Sequence, residues 1–282
     1  MAEFSNPDLY DFWMGRWSAR LAPAFVDFAD LPKGGRFLDV GSGTGVLAAT
    51  LLARVDGAAV VGVEPAPNYV AYSRERMRDE RMRFEVGDAL DIPFADESFD
   101  GALSLLILQE LPDALKAVRG MQRVTRPGGT VAASQWDFAA AMPMLSLFWD
   151  SAMEVAGTDA TRAAAADCME VDYPDAQALQ CLWQEAGLVE VETKAQGVTM
   201  AFTSFEDYWA PFLSGVTPTS SFAGKLPGDQ RAALMARLRH KVLGAGPERP
   251  FTLAARAWSV RGKVASRSLG RVETGKCTAG GR

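Results

Sequence analysis

The stretch that decides the fold reads Leu38-Asp39-Val40-Gly41-Ser42-Gly43-Thr44-Gly45. The apolar run from Arg36 to Val40 is bounded by glycines on both sides, which is typical of a buried parallel strand. The residues from Val46 to Ala53 have helical character. A strand, a glycine turn and a helix in this order open a βαβ unit.

The alternation of strand and helix then repeats as far as residue 134. Further strands are predicted over 58–63, 82–86, 99–106 and 130–134, with helices over 68–78 and 113–124. Such alternation predicts a parallel sheet that is covered by helices on both faces. The fold class predicted from the sequence is therefore α/β, with a doubly wound, mostly parallel sheet.

Composition narrows the classes of protein. The chain has 282 residues, of which 48% are hydrophobic and 23% charged, as in ordinary folded domains. Its net charge of -6 disfavours nucleic acid as a partner. Three cysteines without a CxxC pair, and the lone histidine His240, predict no metal site and indicate a cytoplasmic location. The chain has no apolar run long enough for a membrane span.

Acidic residues follow the first three predicted strands. Asp39 lies just ahead of the glycine loop, where a carboxylate would repel a pyrophosphate but suit a ligand with an ammonium and a sulfonium. Asp39 could instead bond to backbone amides of the loop. Glu64 could accept hydrogen bonds from both ribose hydroxyls, and Asp88 from an adenine amine while Ala89 and Leu90 pack the ring. The alternative for each acid alone is a solvated strand end.

Four segments together carry a family resemblance. LDVGSGTG (38–45), VVGVEP (60–65), VGDALDIPFADESFD (86–100) and RVTRPGGTV (123–131) resemble the successive motifs of class I S-adenosylmethionine-dependent methyltransferases. The most similar branch includes the ubiquinone and menaquinone biosynthesis methyltransferases. The resemblance covers about residues 34–135 and carries little information on the methyl acceptor.

The resemblance implies a cofactor, S-adenosylmethionine, and a set of cofactor-binding residues. By this resemblance, the glycine loop holds the methionine moiety, Glu64 binds the ribose and the turn at Asp88 contacts adenine. The end of the fourth strand faces the methyl group. The expected cofactor residues are Asp39, Gly41, Ser42, Gly43, Gly45, Glu64, Pro65, Asp88, Ala89, Leu90, Ser104 and Leu105, with Gln109 and Arg16 as additions. The implied sheet has seven strands, of which one, supplied by 251–260, is antiparallel.

The chain also departs from the family pattern. Many relatives carry histidines before the Pro-Asp that follows the fourth strand, whereas this chain has Gln109 and Glu110 there. A reaction that relies on a histidine at that place is therefore in doubt. The sequence assigns no catalytic residue, and His240 is interpreted as a surface residue of a basic helix.

Residues outside the core motifs are candidates for an acceptor pocket. The expected organisation is a helical cap over 1–33, a cofactor-binding core over 34–135, the rest of the α/β domain with helical lid insertions over 136–263, and a disordered tail over 264–282. Aromatic residues cluster in the cap and the insertions. The acceptor-pocket candidates are Trp13, Trp17, Trp136, Tyr208 and Trp209, and the alternative is that they anchor helices in the core.

Three functions remain open on these observations. The first is methyl transfer to an unidentified small-molecule acceptor by in-line displacement. The second is a nicotinamide-dependent oxidoreductase, which Asp39, Val46 in place of a third fingerprint glycine, and the lack of a Tyr-xxx-Lys pair disfavour. The third is a non-catalytic protein that keeps the cofactor pocket or only the fold. The sequence leaves the oligomeric state open.

Overall fold

Strands of the described residues form a seven-stranded mixed sheet in the order β3-β2-β1-β4-β5-β7-β6. The computed structural model describes residues 6–215 and 217–266. The strands are β1 Gly35–Val40, β2 Ala58–Glu64, β3 Met82–Val86, β4 Phe99–Leu105, β5 Thr125–Trp136, β6 Leu188–Phe202 and β7 Phe251–Val264. Neighbours from β3 to β5 run parallel, and β7 inserts between β5 and β6. The predicted fold class is confirmed.

Helices precede, connect and follow these strands. They are α1 Pro7–Tyr10, a π-helix Asp11–Gly15, α2 Arg16–Ala29, α3 Val46–Arg54, α4 Pro67–Arg76, α5 Ala114–Val124, α6 Pro143–Ala156, α7 Asp159–Met169, α8 Ala176–Glu185, α9 Phe205–Trp209, α10 Pro218–Lys225 and α11 Gly228–Leu243, with 3-10 turns at Leu108–Glu110 and Ala210–Leu213. Asp113 and Asp175 cap α5 and α8 through side-chain oxygens. Across the described part of the chain, no helix combines the length and apolarity needed to cross a membrane.

Three strands, β5, β6 and β7, extend several residues beyond the ranges that the sequence predicts. β5 begins at Thr125, which pairs with Phe99, and the register shifts between Phe99 and Gly101. This irregularity accommodates the Pro-Gly-Gly segment that we expected to precede the strand. For β6 the alternating sequence predicts a strand over 189–193 only, whereas the strand continues to Phe202, with buried and exposed residues still alternating after Gly197. The predicted tail begins too early, because Val264 ends β7, and its residues 267–282 lie outside the described residues.

The described residues group into two compact units. The sheet unit comprises 18–135, 172–196 and 257–266, and the helical unit comprises 6–17, 136–171 and 197–256. In the sheet unit, apolar residues of β1, β4 and β5 pack with Val118 and Met121 of α5 and Leu182 and Trp183 of α8. The Trp183 indole also donates a hydrogen bond to the Val131 carbonyl at 3.0 Å. This packing fixes the strands whose carboxyl ends carry the predicted site.

Candidate functional site

The glycine loop joins β1 to α3 through three glycines with positive φ. Gly41, Gly43 and Gly45 have φ values of 72°, 51° and 84°. A Cβ on Gly41 would lie 2.7 Å from the nearest atom of the Ile107 side chain, whereas a Cβ on Gly43 would meet nothing within 4 Å. The loop is therefore packed against the β4 connection at Gly41 and open beside Gly43, where a ligand could approach the backbone.

Asp39, at the carboxyl end of β1, is the most buried acid of the loop region. Its side chain is 1% exposed, and its Oδ2 accepts a hydrogen bond from the Ala48 amide at 3.0 Å. Oδ1 has no hydrogen-bond partner among the described residues. Burial raises the pKa of Asp39 to about 8, an effect that the Ala48 bond opposes and the Glu64 charge reinforces. The amide that Asp39 binds belongs to α3 and not to the glycine loop, and the role of Asp39 toward a cationic ligand stays a prediction.

Glu64, at the end of β2, is held by backbone amides on either side. Oε2 accepts from the Gly43 amide at 3.1 Å, and Oε1 accepts from the Ala66 amide at 3.2 Å. Burial raises the pKa of this carboxyl, while the two amides partly offset the shift. The bond to Gly43 orders the glycine loop, and each oxygen retains a lone pair for a further donor.

Asp88 and its neighbours form a turn after β3. Asp88 is exposed, and its Oδ1 accepts from the Leu90 amide at 2.9 Å. Ala89 is buried, and Leu90 is partly buried against the apolar core. Pro65, directly after Glu64, is exposed. Among the described residues Asp88 Oδ2 has no hydrogen-bond partner, so the turn presents this carboxylate oxygen next to an apolar surface.

The end of β4 carries further polar atoms with no partner. Ser104 is fully buried, and its Oγ has no hydrogen-bond partner among the described residues; the same holds for Ser42 Oγ in the glycine loop and Gln109 Oε1 after β4. Leu105 is buried beside them. Burying polar atoms without partners costs about 1–3 kcal/mol each. Their concentration at one edge of the sheet, with Asp39 Oδ1, fits residues that bind a polar ligand there.

Arg16 lies in the helical unit, where it is already engaged. Its guanidinium donates to Asp207 Oδ1 at 2.6 Å and to the Asp207 carbonyl at 3.1 Å. It also lies over the rings of Trp17, at 4.4 Å, and Phe202, at 5.1 Å. These contacts give Arg16 a structural role, and its pairing with a cofactor carboxylate stays a prediction.

The five aromatic candidates for the acceptor pocket also lie in the helical unit. Trp13, Trp17, Trp136, Tyr208 and Trp209 are each at most 3% exposed. The rings of Trp13, Tyr208 and Trp209 all pack within 6.0 Å of the Phe212 ring. The Tyr208 hydroxyl donates to the Met144 carbonyl at 2.8 Å. All five therefore help to form the core of this unit, which agrees with the alternative drawn from the sequence.

The remaining polar candidates are simpler. His240 is exposed on α11, the position expected for a surface residue. Within residues 6–215 and 217–266, no group of three or more His, Cys, Asp or Glu side chains is placed to hold a metal ion.

Sequence patterns missed two features of the strand ends. Gln135, at the end of β5, is 1% exposed and has an amide oxygen with no partner among the described residues. Leu106, just after β4, has a φ of 65°, which a bulky residue rarely adopts. Neither residue belongs to a glycine or acidic motif, so the motifs do not identify them. For Gln135 the sequence offers one weak signal, a glutamine directly after an apolar segment, and for Leu106 it offers none.

Comparisons with known proteins find similar sequences for the segment that carries this site. A family model described as "Methyltransferase domain" matches residues 38–133. Methyltransferase GfsG of Streptomyces halstedii is 34% identical over 143 residues, which covers 46% of this chain and 51% of that protein. A demethylmenaquinone methyltransferase of Roseiflexus sp. (strain RS-1) is 41% identical over 107 residues, covering 38% of this chain and 45% of its own. The chain thus spans about half the length of the curated relatives it matches.

A solved structure extends the likeness in fold. Phosphoethanolamine N-methyltransferase 2 of Haemonchus contortus, in complex with phosphomonomethylethanolamine and S-adenosylhomocysteine, superposes with a TM-score of 0.58. It is 17% identical, and the match covers 92% of this chain and 57% of that chain. Residues 38–133 therefore match a methyltransferase domain, in agreement with the resemblance predicted from the sequence, and the solved structure extends this likeness in fold over most of the chain.

Proposed function

We propose that this chain transfers a methyl group from S-adenosylmethionine to a small-molecule acceptor by in-line displacement. The observation that carries the proposal is a pair of carboxyl groups, the buried Asp39 and the partly buried Glu64, at the ends of neighbouring parallel strands around the glycine loop. A cationic ligand would stabilise the charged form of both groups, whereas a pyrophosphate would be repelled by that form. The nicotinamide alternative is disfavoured for the same reason.

The residues at the strand ends fit the parts of this cofactor. Asp39 Oδ1 and Ser42 Oγ are the open acceptors for the methionine ammonium, and Gly43 leaves space beside the backbone. Glu64 has a lone pair on each oxygen for the ribose hydroxyls. The other cofactor residues are Gly41, Gly45 and Pro65 around these acids, Asp88, Ala89 and Leu90 for adenine, and Ser104, Leu105 and Gln109 at the end of β4.

The chemistry asked of the protein is modest. When bound, S-adenosylmethionine supplies the electrophilic methyl group and the leaving thioether. The chain contributes alignment and the exclusion of water, which lower the barrier of an in-line displacement. A general base is needed only for an acceptor that must lose a proton, and we assign no residue to that task.

Acceptor choice is the finer part of the proposal. The aromatic residues Trp13, Trp17, Trp136, Tyr208 and Trp209 are proposed to govern it, supported by their concentration in the helical unit. Because they form its core, alanine at these positions would test stability more than specificity. At the four tryptophans, replacement by phenylalanine keeps an aromatic side chain in the core and is therefore the better probe of specificity. A cytoplasmic location and the absence of a nucleic-acid partner belong to the same proposal, supported by the net charge of -6 and the sparse cysteines.

Calorimetric titration with S-adenosylhomocysteine, with NAD in parallel, tests the cofactor. We expect micromolar binding of the former and none of the latter. Binding of NAD alone would move the chain to the oxidoreductases, and binding of neither would favour a non-catalytic protein. Turnover is then measured as S-adenosylhomocysteine formation over a panel of hydroxyl, amine, thiol and carbon acceptors.

A further inference from the structure

Gln135 ends the sheet-unit part of β5 with its amide held in one orientation. The side chain is 1% exposed, and its Nε2 donates to the backbone carbonyl of Tyr173. Because the NH₂ group is used in this bond, the oxygen must face away from Tyr173. Oε1 is buried and has no hydrogen-bond partner among the described residues. The side chain therefore offers one fixed acceptor to a donor that the folded chain does not provide.

Ser104 supplies a second polar atom on the same face of the sheet. β4 and β5 pair in parallel with Ser104 opposite Ala133 and Leu105 opposite Ser134. Side chains alternate along strands, so Ser104, Ala133 and Gln135 share a face. Ser104 Oγ is fully buried and likewise lacks a partner among the described residues. Two open polar atoms thus lie on adjacent strands at the carboxyl edge, where ligands of such sheets bind.

The backbone between them is strained. Leu106 has a φ of 65°, and its amide donates to the Ser134 carbonyl at 2.7 Å. A bulky residue in this conformation persists only where the surroundings impose it, and such residues cluster at ligand sites. Apolar side chains in place of Ser104 and Gln135 would suit the neighbouring core better. Strain and two open polar groups at one place indicate a ligand contact beyond the expected cofactor residues.

We propose that Gln135 Oε1 accepts a hydrogen bond from the methyl-accepting atom of the substrate, which is therefore the oxygen of a hydroxyl group or the nitrogen of a neutral amine that carries a hydrogen. This inference rests on the proposed methyl transfer. The bond fixes the direction of the O–H or N–H and so aims the lone pair of the same atom. That lone pair forms the new bond to the methyl carbon, and the S–C bond breaks with its electrons on sulfur. The methylated product keeps the acceptor's proton until it leaves the site and then loses it to bulk solvent. The amide orients the acceptor without removing its proton.

Matched probes test the hydrogen bond directly. Wild-type protein saturated with S-adenosylhomocysteine is titrated calorimetrically with 2-naphthol and with 2-methoxynaphthalene. The second compound has a methyl group in place of the hydroxyl hydrogen and cannot donate a hydrogen bond. A second arm compares 2-naphthylamine with its N,N-dimethyl derivative and distinguishes a hydroxyl site from an amine site. We expect the protic member of at least one pair to bind about 5–10-fold more tightly.

Variants assign that preference to one atom. Gln135→Met keeps the side-chain volume but removes the oxygen, and it should abolish the preference for the protic probe. Gln135→Asn moves the amide away by one methylene and should weaken that preference. The asparagine variant serves as the test if the methionine variant does not fold. Gln196→Met is the matched control, because Gln196 is a buried glutamine of the same unit whose Nε2 already donates to Ser259 Oγ at 3.0 Å. It should keep the wild-type preference.

The outcomes separate this inference from the proposed function. The inference is overturned if the wild-type protein binds none of the four probes, or if it binds the two members of each pair equally. A preference that survives in folded Gln135→Met overturns it as well. Failure of the wild type to bind S-adenosylhomocysteine overturns the proposed function instead, whereas its normal binding with no protic preference removes only the role of Gln135.

Discussion

The carboxylate of Asp39 accepts a hydrogen bond from the Ala48 amide at 3.0 Å, in the first turn of α3. Gly45, the N-cap of that helix, has no side chain with which to cap it. Asp39 therefore binds the start of α3 with one oxygen, while its other oxygen is buried without a hydrogen-bond partner among the described residues. One residue thus links the stability of the free protein to its capacity for a cationic ligand.

Asp39→Asn should change the dependence of stability on pH. Because burial raises the pKa of Asp39 to about 8, the folded chain keeps a proton that the unfolded chain loses near pH 4. The free energy of unfolding of the wild type therefore falls as pH rises from about 4 to about 8, and the variant, whose amide does not titrate, is exempt from this loss. Relative to the variant, the wild type should lose on the order of 1–3 kcal/mol between pH 5 and pH 8.

Thermal unfolding of both proteins at the two pH values measures this difference. Asp88→Asn, at an exposed acid of the same edge, is the control and should follow the wild type. Parallel pH curves for wild type and Asp39→Asn would show that the buried carboxyl does not titrate in this range.

Glu64→Ala should weaken binding of S-adenosylhomocysteine by on the order of 1–3 kcal/mol, the scale of lost charge-assisted hydrogen bonds. The variant also loses the bond that orders the loop at Gly43. Calorimetric titration gives the dissociation constant. Glu85→Ala, on the neighbouring strand β3, should bind as the wild type does. Equal affinity of the wild type and Glu64→Ala would remove Glu64 from the site.

Gly41→Ala should be more costly than Gly34→Ala. Both glycines have φ near 70°, so both substitutions carry the same backbone strain of about 1–2 kcal/mol. Only the Cβ at Gly41 would meet Ile107, at 2.7 Å, while the one at Gly34 would meet nothing within 4 Å. Urea unfolding should show about 1–3 kcal/mol of additional destabilisation at Gly41. Equal losses would mean that Ile107 moves aside freely.

Arg16 and Asp207 should be energetically coupled within the helical unit. Their side chains are 26% and 18% exposed and approach to 2.6 Å. A double-mutant cycle with Arg16→Met and Asp207→Asn should give a coupling of about 1–2 kcal/mol in unfolding free energy. The exposed pair Lys33–Asp56 is the control, for which we expect less than about 0.5 kcal/mol. Additive effects at Arg16 and Asp207 would assign the stability to ring contacts instead.

The core of the fold followed from local sequence because each signal had a local cause. The glycines of the loop after β1 adopt positive φ, and acidic residues lie at the ends of the first strands. The apolar segments have lengths typical of buried strands. β6 was underestimated because Gly197 and charged residues interrupt a pattern that continues to Phe202. The sequence places the start of β5 at Thr130 because the Pro-Gly-Gly segment before it resembles a turn, whereas in the structure Thr125 already pairs with Phe99.

The site was predictable only where a motif carried it. Asp39, Glu64 and Asp88 lie at the ends of three strands, as expected from their order in the chain. Gln135 could not be found this way, because the significance of its oxygen depends on a carbonyl 38 residues away, that of Tyr173. The aromatic candidates show another limit, because the sequence identifies them in the cap and the insertions but does not decide between a pocket and a core. Only the structure shows that they share one unit and are buried there.

The burial of Asp39 also bears on how much folded protein a cell would hold. A ligand that binds only the folded state raises its population by mass action, by about 2.7 kcal/mol at a hundredfold excess over the dissociation constant. A cation that neutralises the buried carboxylates would act in this way and would also remove the cost of charging Asp39 near neutral pH. Under the proposed function, the abundance of this protein would follow the supply of its own methyl donor.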